Sequence, residues 1–419
     1  MKVLIKQARI ISPSSPFNGQ TKDILITDGI ITGIGEGINE KADQLIEQKG
    51  LCVSIGWMDV FADFADPGYE YRETLETGAI AAAAGGFTDV LLIPNSKPVV
   101  DNKSQVEYII QRSKAFVTTI HPMGSVTKNA TGDALSEMYD MRQAGAAAFS
   151  DGTHPVQSPG ILLKALQYVM AFDGIIIQLP GDNTIGTHGL INEGIISTQL
   201  GLPGKPALAE ELMIARDIDL VRYTGSKIHF TGVSTQKSID LITKAKATGL
   251  RVSCSVTPYH CFFCDEDLVT YDTNLKVDPP LRSRNDMLAL RDALREGVID
   301  FIASHHSPQN WDSKTCEFEY AKNGMIGLET CFPAMNTMGL DVDAFVSMQT
   351  VAVRNTFGLS LPEIREGVPA TLSLFNPAVE YVFEAALIRS KSKNSPFIDK
   401  KFKGSVVGVI NKNKIHLNN

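Results

Sequence analysis

A chain of 419 residues, 43% of them hydrophobic, is long enough for a barrel-sized domain with a smaller satellite. Its net charge of -8 and pI near 5.6 argue against a nucleic-acid or anionic-membrane partner. No apolar run approaches the roughly 18 residues of a membrane span, and six cysteines are too sparse for a disulfide framework, so reduced thiols in a cytoplasmic protein are expected.

The N-terminal run Met-Lys-Val-Leu-Ile-Lys-Gln-Ala-Arg carries charges inside its apolar stretch and reads as a strand, not a signal peptide. Short apolar runs follow at Ile10-Ile11, Ile24-Leu-Ile26 and Ile30-Ile-Thr-Gly-Ile34, with Asp28-Gly29 predicting a tight hairpin. From about residue 51 the pattern changes. Strand-length runs at 57–63, 86–93, 116–121, 146–151, 174–179, 227–231, 251–256 and 298–304 alternate with amphipathic stretches. Eight strands, each followed by a crossover, predict a (β/α)8 TIM barrel within the α/β class. Val90-Leu-Leu-Ile93 and Gly174-Ile-Ile-Ile177 have the continuous apolar character of strands buried on both faces. A doubly wound sheet is the competing architecture, but its G-x-G-x-x-G fingerprint is missing. Beyond helical residues 328–338 and 341–357 the chain returns to strands at 370–375, 381–383, 404–410 and 415–417. The expected organisation is a barrel over 51–364, with residues 1–50 and 365–419 pairing into one small composite β-sandwich domain.

Barrel chemistry gathers at the C-terminal strand ends. The first strand runs out through Asp59-Val-Phe-Ala-Asp-Phe-Ala-Asp-Pro-Gly68, offering Asp63 and Asp66. Later strands offer Asn95, His121, Asp151 with His154, Gln178 with Leu179, His229 with Thr231 and Gly232, Thr257-Pro-Tyr-His260, and Ser304-His-His-Ser-Pro-Gln309. A hydrolytic metal centre needs imidazoles and carboxylates converging on one ion with a position open for water. His-x-His on one strand achieves this, because alternate residues share a face. Here the equivalent pair is Phe61 and Asp63, and phenylalanine cannot ligate. Asp63 also reads as a loop cap, and His121 and His229 as hydrogen-bonded packing residues. His305 and His306 are adjacent, so on an extended strand they face opposite ways. Cys261-Phe-Phe-Cys264 has metal-knuckle spacing without a second pair, and packed thiols are the simpler reading.

Several segments carry a family resemblance. Asp59 to Gly68 resembles D-x-H-x-H-x-R-x-P-G, and Gly85-Gly-Phe-Thr-Asp-Val-Leu-Leu-Ile-Pro-Asn-Ser-Lys-Pro98 resembles a segment ending M-P-N-T-x-P. Ile191-Asn-Glu-Gly-Ile-Ile-Ser197, Leu200-Gly-Leu-Pro-Gly-Lys-Pro206, Val277-Asp-Pro-Pro-Leu-Arg282, Gly327-Leu-Glu-Thr330 and Ser390-Lys-Ser-Lys-Asn-Ser-Pro-Phe397 match in the same order. Over nearly its whole length the chain resembles the long-form dihydroorotases of the amidohydrolase superfamily. That resemblance implies a (β/α)8 barrel with a small β domain, and a place in pyrimidine (UMP) biosynthesis.

The departures fall on the chemistry. The positions of the zinc-binding histidines hold Phe61, Asp63, Leu179 and Gly232. The substrate-carboxylate arginine corresponds to Ala65, and an acidic pair is reduced to Asp151. The catalytic aspartate corresponds to His305, a later histidine to Gln309, and an asparagine to Asp278. Asn95 and His306 remain at substrate-contacting positions. Active members use zinc to activate a water, with the aspartate moving its proton. Here no metal or other cofactor is expected, and the mouth is expected to be a filled cavity. The chain is similar to zinc-ligand-deficient dihydroorotase relatives that act as structural partners of aspartate carbamoyltransferase. A homo-oligomer partnered by that transferase, with no nucleic acid and no membrane, is therefore expected. The alternative is an active dihydroorotase or cyclic amidohydrolase, interconverting carbamoyl aspartate and dihydroorotate, with a rearranged metal set of Asp63, Asp151 and His305. A ligand sensor using Asn95 and His306 is a third reading, opposed by Ala65 and Asp278.

Overall fold

The computed structural model describes residues 1–418. Its first strands are β1 (Lys2–Ile10), β2 (Thr21–Thr27), β3 (Ile30–Gly35), β4 (Gln44–Glu47) and β5 (Cys52–Ile55). Asp28 and Gly29 both take positive φ (48° and 80°), the backbone that a two-residue hairpin between β2 and β3 requires. Val3–Ile5 and Ile10 belong to one strand, bulged between Ile5 and Ala8 where Gln7 adopts φ 47°.

The barrel follows as β6 (Trp57–Ala62), β7 (Phe87–Leu92), β8 (Thr119–Gly124), β9 (Ala148–Phe149) and β10 (Ile176–Gln178). A small pair, β11 (Ile191–Asn192) and β12 (Gly204–Lys205), lies outside it. The barrel resumes with β13 (Ile228–Phe230), β14 (Val252–Val256) and β15 (Phe301–Ile302). All eight expected strands are present and neighbour one another in chain order, joined by parallel ladders. Five crossover helices begin where hydroxyl or amide side chains accept their first N–H groups: Thr74, Asn102, Ser158, Thr235 and Ser283.

The seam between β15 and β6 is closed largely by a side chain. Asp59 accepts from the Ser304 N–H at 2.8 Å and from its hydroxyl at 2.7 Å, and the Asp63 N–H donates to the His306 carbonyl at 2.8 Å. Burial pushes the Asp59 carboxyl up to about 7, against the pull of the two Ser304 bonds.

The C-terminal strands are β16 (Thr371–Val382), β17 (Lys401–Asn411) and β18 (Lys414–Leu417). They join β1 to β5 in one eight-stranded sheet, ordered β18-β17-β16-β5-β1-β2-β3 with β4 beside β1. The expected β domain from both termini is thus a single hydrogen-bonded sheet. It includes β5, which the sequence merges with the barrel because only Gly56 separates it from β6. A Cβ at Gly56 would sit 2.0 Å from Thr88 Oγ1, so the chain passes between the two units where no larger residue fits.

This sheet sits under the strand beginnings. Ser373 Oγ accepts from the Trp57 N–H at 2.9 Å and donates to the Gly86 carbonyl at 2.6 Å, and Asn411 Nδ2 donates to the Val117 carbonyl at 2.8 Å. The C-terminal mouth is left to the loops. Only the connection between β16 and β17 reaches it, where Asn394 Nδ2 donates to the Ser307 and Gly324 carbonyls, each at 3.1 Å.

Candidate functional site

A cleft of about 540 Å³ opens at the C-terminal ends of the barrel strands. Of the residues singled out in the sequence, Phe61, Asp63, Asn95, His154, Leu179, Asp278, His305, His306 and Gln309 line it. The mouth is therefore not the filled cavity expected. Its floor is filled, and open space remains above.

On the floor, the Phe61 and His305 rings stack with centroids 4.5 Å apart and planes 30° from parallel. His305 Nε2 pairs with Thr231 Oγ1 at 2.7 Å. A Cβ at Gly232 would lie 2.6 Å from His305 Cε1 and 3.1 Å from Leu179 Cδ1, so the four positions occupy one another's space. Burial, with a contribution from His260, pushes the His305 imidazole down to about 3. At neutral pH it is an uncharged, packed ring and not a proton carrier in reserve. Phe61, Ala65 and His305 all take positive φ (71°, 57° and 45°), a left-handed backbone uncommon for non-glycine residues.

The donor chemistry does not fit a zinc centre. Phe61, Leu179 and Gly232 offer no ligand atom. The alternative set of Asp63, Asp151 and His305 is not assembled. Asp63 accepts from the Ala65 N–H at 2.7 Å and faces Arg72 at 3.2 Å. Both Asp151 oxygens are turned onto Thr127, accepting from its N–H at 2.9 Å and its hydroxyl at 2.5 Å, and burial lifts this carboxyl to about 6. Among the described residues no three His, Cys, Asp or Glu side chains are grouped to hold an ion. Cys261 and Cys264 are buried free thiols outside any such group, and burial pushes Cys261 up to about 12.

The two expected substrate contacts have internal partners. Asn95 Nδ2 donates to the Asp151 carbonyl at 3.0 Å and lies 3.1 Å from His154 Nδ1, while Oδ1 accepts from the Thr153 N–H at 3.1 Å. His306 is fully buried; its Nδ1 accepts from the Gly327 N–H at 3.3 Å, and Nε2 faces Glu73 Oε2 at 3.5 Å. Glu73 lies below its usual range: burial pushes it up, but His306, Ser390 and Thr77 together outweigh that.

Sequence reasoning missed Arg72. It stands seven residues beyond Ala65, lines the cleft, stacks over the Tyr69 ring at 4.9 Å and pairs with Asp63 at 3.2 Å. The only sequence signal was Tyr69-Glu-Tyr-Arg72, directly after Pro67-Gly68. Asp278 is likewise paired, with Lys205 at 2.5 Å. Burial raises Asp63, while Arg72 opposes that shift.

Three histidines weighed at strand ends do not line the cleft, and His121 and His229 are the hydrogen-bonded packing residues expected. His121 is inside β8, paired with Asp89 at 2.9 Å, and Asp89 also meets Arg354 at 2.7 Å. His229 sits between Ser253 and Ser255 at 2.9 Å each and stacks on Phe301 at 4.6 Å; burial depresses its pKa well below the usual value. His260 is held by Thr257 at 2.8 Å and the Pro279 carbonyl at 3.0 Å.

Residues 51–238 match the dihydro-orotase-like family model. The chain is 38% identical to a dihydroorotase of Syntrophus aciditrophicus, with 99% of each chain covered. It is 40% identical to a dihydroorotase of Ruminiclostridium cellulolyticum over 95% of this chain and 94% of the relative. Among solved structures it resembles the L-hydantoinase (dihydropyrimidinase) of Arthrobacter aurescens, with a TM-score of 0.83 and 23% identity over 99% of this chain and 95% of that one. The last likeness carries the barrel fold. The identities along the full length, with the motifs placed around this mouth, show that the chain belongs to the dihydroorotase family.

Proposed function

We propose that this protein is a non-catalytic dihydroorotase homologue of pyrimidine biosynthesis, acting in the cytoplasm as a structural partner of aspartate carbamoyltransferase. The observation that supports the loss of catalysis is the packed floor. Phe61, Leu179, His305 and Gly232 interlock where the ring-opening chemistry would need ligand atoms and a base. A neutral imidazole with a pKa near 3 does not take a proton in the physiological range. Retention of the whole scaffold supports a structural role, since the relatives match from end to end. In this reading the protein is a homo-oligomer and needs no metal ion.

One preparation purified without chelators tests the catalytic half. Metal analysis should find no stoichiometric zinc, and the dihydroorotase assay no turnover. Stoichiometric zinc together with turnover sinks the proposal in favour of a rearranged active site. For the structural half, co-expressed aspartate carbamoyltransferase should co-elute with this protein and lose assembly or activity when it is omitted. Separate elution with an unaffected transferase would overturn that half alone.

A further inference from the structure

Four hydrogen bonds join the floor of the cleft to the beginning of β14. His305 Nε2 meets Thr231 Oγ1 at 2.7 Å, and Thr231 Oγ1 meets Ser255 Oγ at 3.0 Å. Ser255 Oγ meets His229 Nε2 at 2.9 Å, and His229 Nδ1 meets Ser253 Oγ at 2.9 Å. The strands set up this row. His229 is paired with Ser253 in the β13–β14 ladder, and two residues further on Thr231 and Ser255 return to the same face. His229, Thr231 and Ser255 are fully buried. Phe61 stacks on the His305 ring at 4.5 Å and Phe301 on the His229 ring at 4.6 Å, so both imidazoles are held in place. The two ends of the row are less enclosed. Ser253 is half-buried. His305 is 6% exposed, and its Nδ1 has no hydrogen-bond partner among the described residues yet is not sealed off, unlike Nε2 of His306. The ring lines the mouth cleft, so Nδ1 is open to what enters there.

Burial keeps both imidazoles neutral at physiological pH. A neutral imidazole has one N–H and one bare nitrogen, and a hydroxyl has one proton to donate. The Thr231 and Ser255 hydroxyls have no other partner among the described residues. Only two arrangements therefore fill all four links. In the first, every proton points away from the cleft: His305 is protonated on Nε2, His229 on Nδ1, and the cleft meets a bare Nδ1. In the second, every proton points toward the cleft: His229 is protonated on Nε2, His305 on Nδ1, and the cleft meets an N–H. Protonating the same nitrogen on both rings leaves either a link without a proton or a buried hydroxyl without an acceptor, and both are costly. Passage from the first arrangement to the second takes one proton from cleft water onto His305 Nδ1. Each proton in the row then moves one link on, and one leaves from Ser253 Oγ.

We infer that His305 and His229 hold opposite tautomers in one reversible chain, and that Ser253 at its far end decides whether the cleft floor offers a hydrogen-bond donor or an acceptor. A bare Nδ1 receives a ligand N–H or O–H, whereas an Nδ1–H receives a carbonyl oxygen or a ring nitrogen. The chain involves neither a metal ion nor turnover, so it is tested apart from the proposed function. Proton–nitrogen NMR of the intact protein, isotopically labelled on its histidine nitrogens, is the test, because bare and protonated ring nitrogens resonate far apart. In the unaltered protein His305 and His229 should be protonated on different ring nitrogens. Protonation of the same nitrogen on both overturns the inference. Ser253→Val removes the hydroxyl and leaves His229 Nδ1 facing a methyl group. A buried N–H without a partner is the rarer orphan, so the His229 proton should sit on Nε2 and, through the chain, the His305 proton on Nδ1. Ser253→Thr, of the same shape with a hydroxyl retained, should keep the tautomers of the unaltered protein. A bare His305 Nδ1 in Ser253→Val overturns the inference.

Discussion

Two histidines in this barrel have opposite surroundings. His121, on β8, faces the Asp89 carboxylate at 2.9 Å, and Asp89 in turn meets Arg354 at 2.7 Å. Burial alone would raise Asp89, but its bonds to His121 and the charge of Arg354 hold it near 2, an ionised, half-buried carboxylate. His305, at the end of β15, faces a phenyl ring and a threonine hydroxyl, and its pKa falls to about 3. The comparison teaches that an imidazole acquires chemistry from what it touches. The first histidine belongs to a charged cluster, whereas the floor of the mouth around the second is packed with uncharged rings.

Breaking the charged side should have the largest effect. Arg354→Ala removes a buried cation and leaves Asp89 partly uncompensated, at a cost of about 3–5 kcal/mol in chemical denaturation. A loss under about 1 kcal/mol would mean that His121 alone carries the carboxylate.

Breaking the apolar side should cost somewhat less. Phe61→Ala removes the ring stacked on His305 and should lower stability by roughly 3 kcal/mol, the low end for a buried aromatic because the ring borders the cleft. Unchanged stability would show that the floor is not packed.

The smallest effect is spectroscopic. The His305 ring resonances should not shift between pH 8 and pH 5, because its folded pKa lies near 3. The sign of the linkage follows. The unfolded ring titrates near 6.5, so the unfolded chain binds more protons between about pH 6.5 and 3, and stability from this residue is lost as pH falls through that window. A titration midpoint near 6 would remove the contrast between the two histidines.

Much of this was legible in the sequence, for reasons that differ by region. The eight barrel strands are buried on both faces, so their apolar runs are continuous and stand out against the amphipathic crossovers. The strand Gln44–Glu47 has a mixed composition and is paired along one side of β1, so nothing marked it. That Phe61, Leu179 and Gly232 carry no ligand atom is compositional and could be read directly. Their mutual contact could not, since it depends on strands distant in sequence converging at one end. Asp151 looked available as a ligand until its two oxygens were found on Thr127. Arg72 was hidden for the same reason: a loop residue has no periodicity, and only the fold brings it to Asp63.

The contact between Gly232 and His305 also bears on how substitutions at the floor combine. A histidine placed at 232 would meet the His305 ring 2.6 Å from its own Cβ, and would adopt the left-handed backbone now at φ 68°. An aspartate placed at 305 would set a carboxylate against the Phe61 ring. Substitutions at 232 and 305 share this space, so their effects on stability should not add.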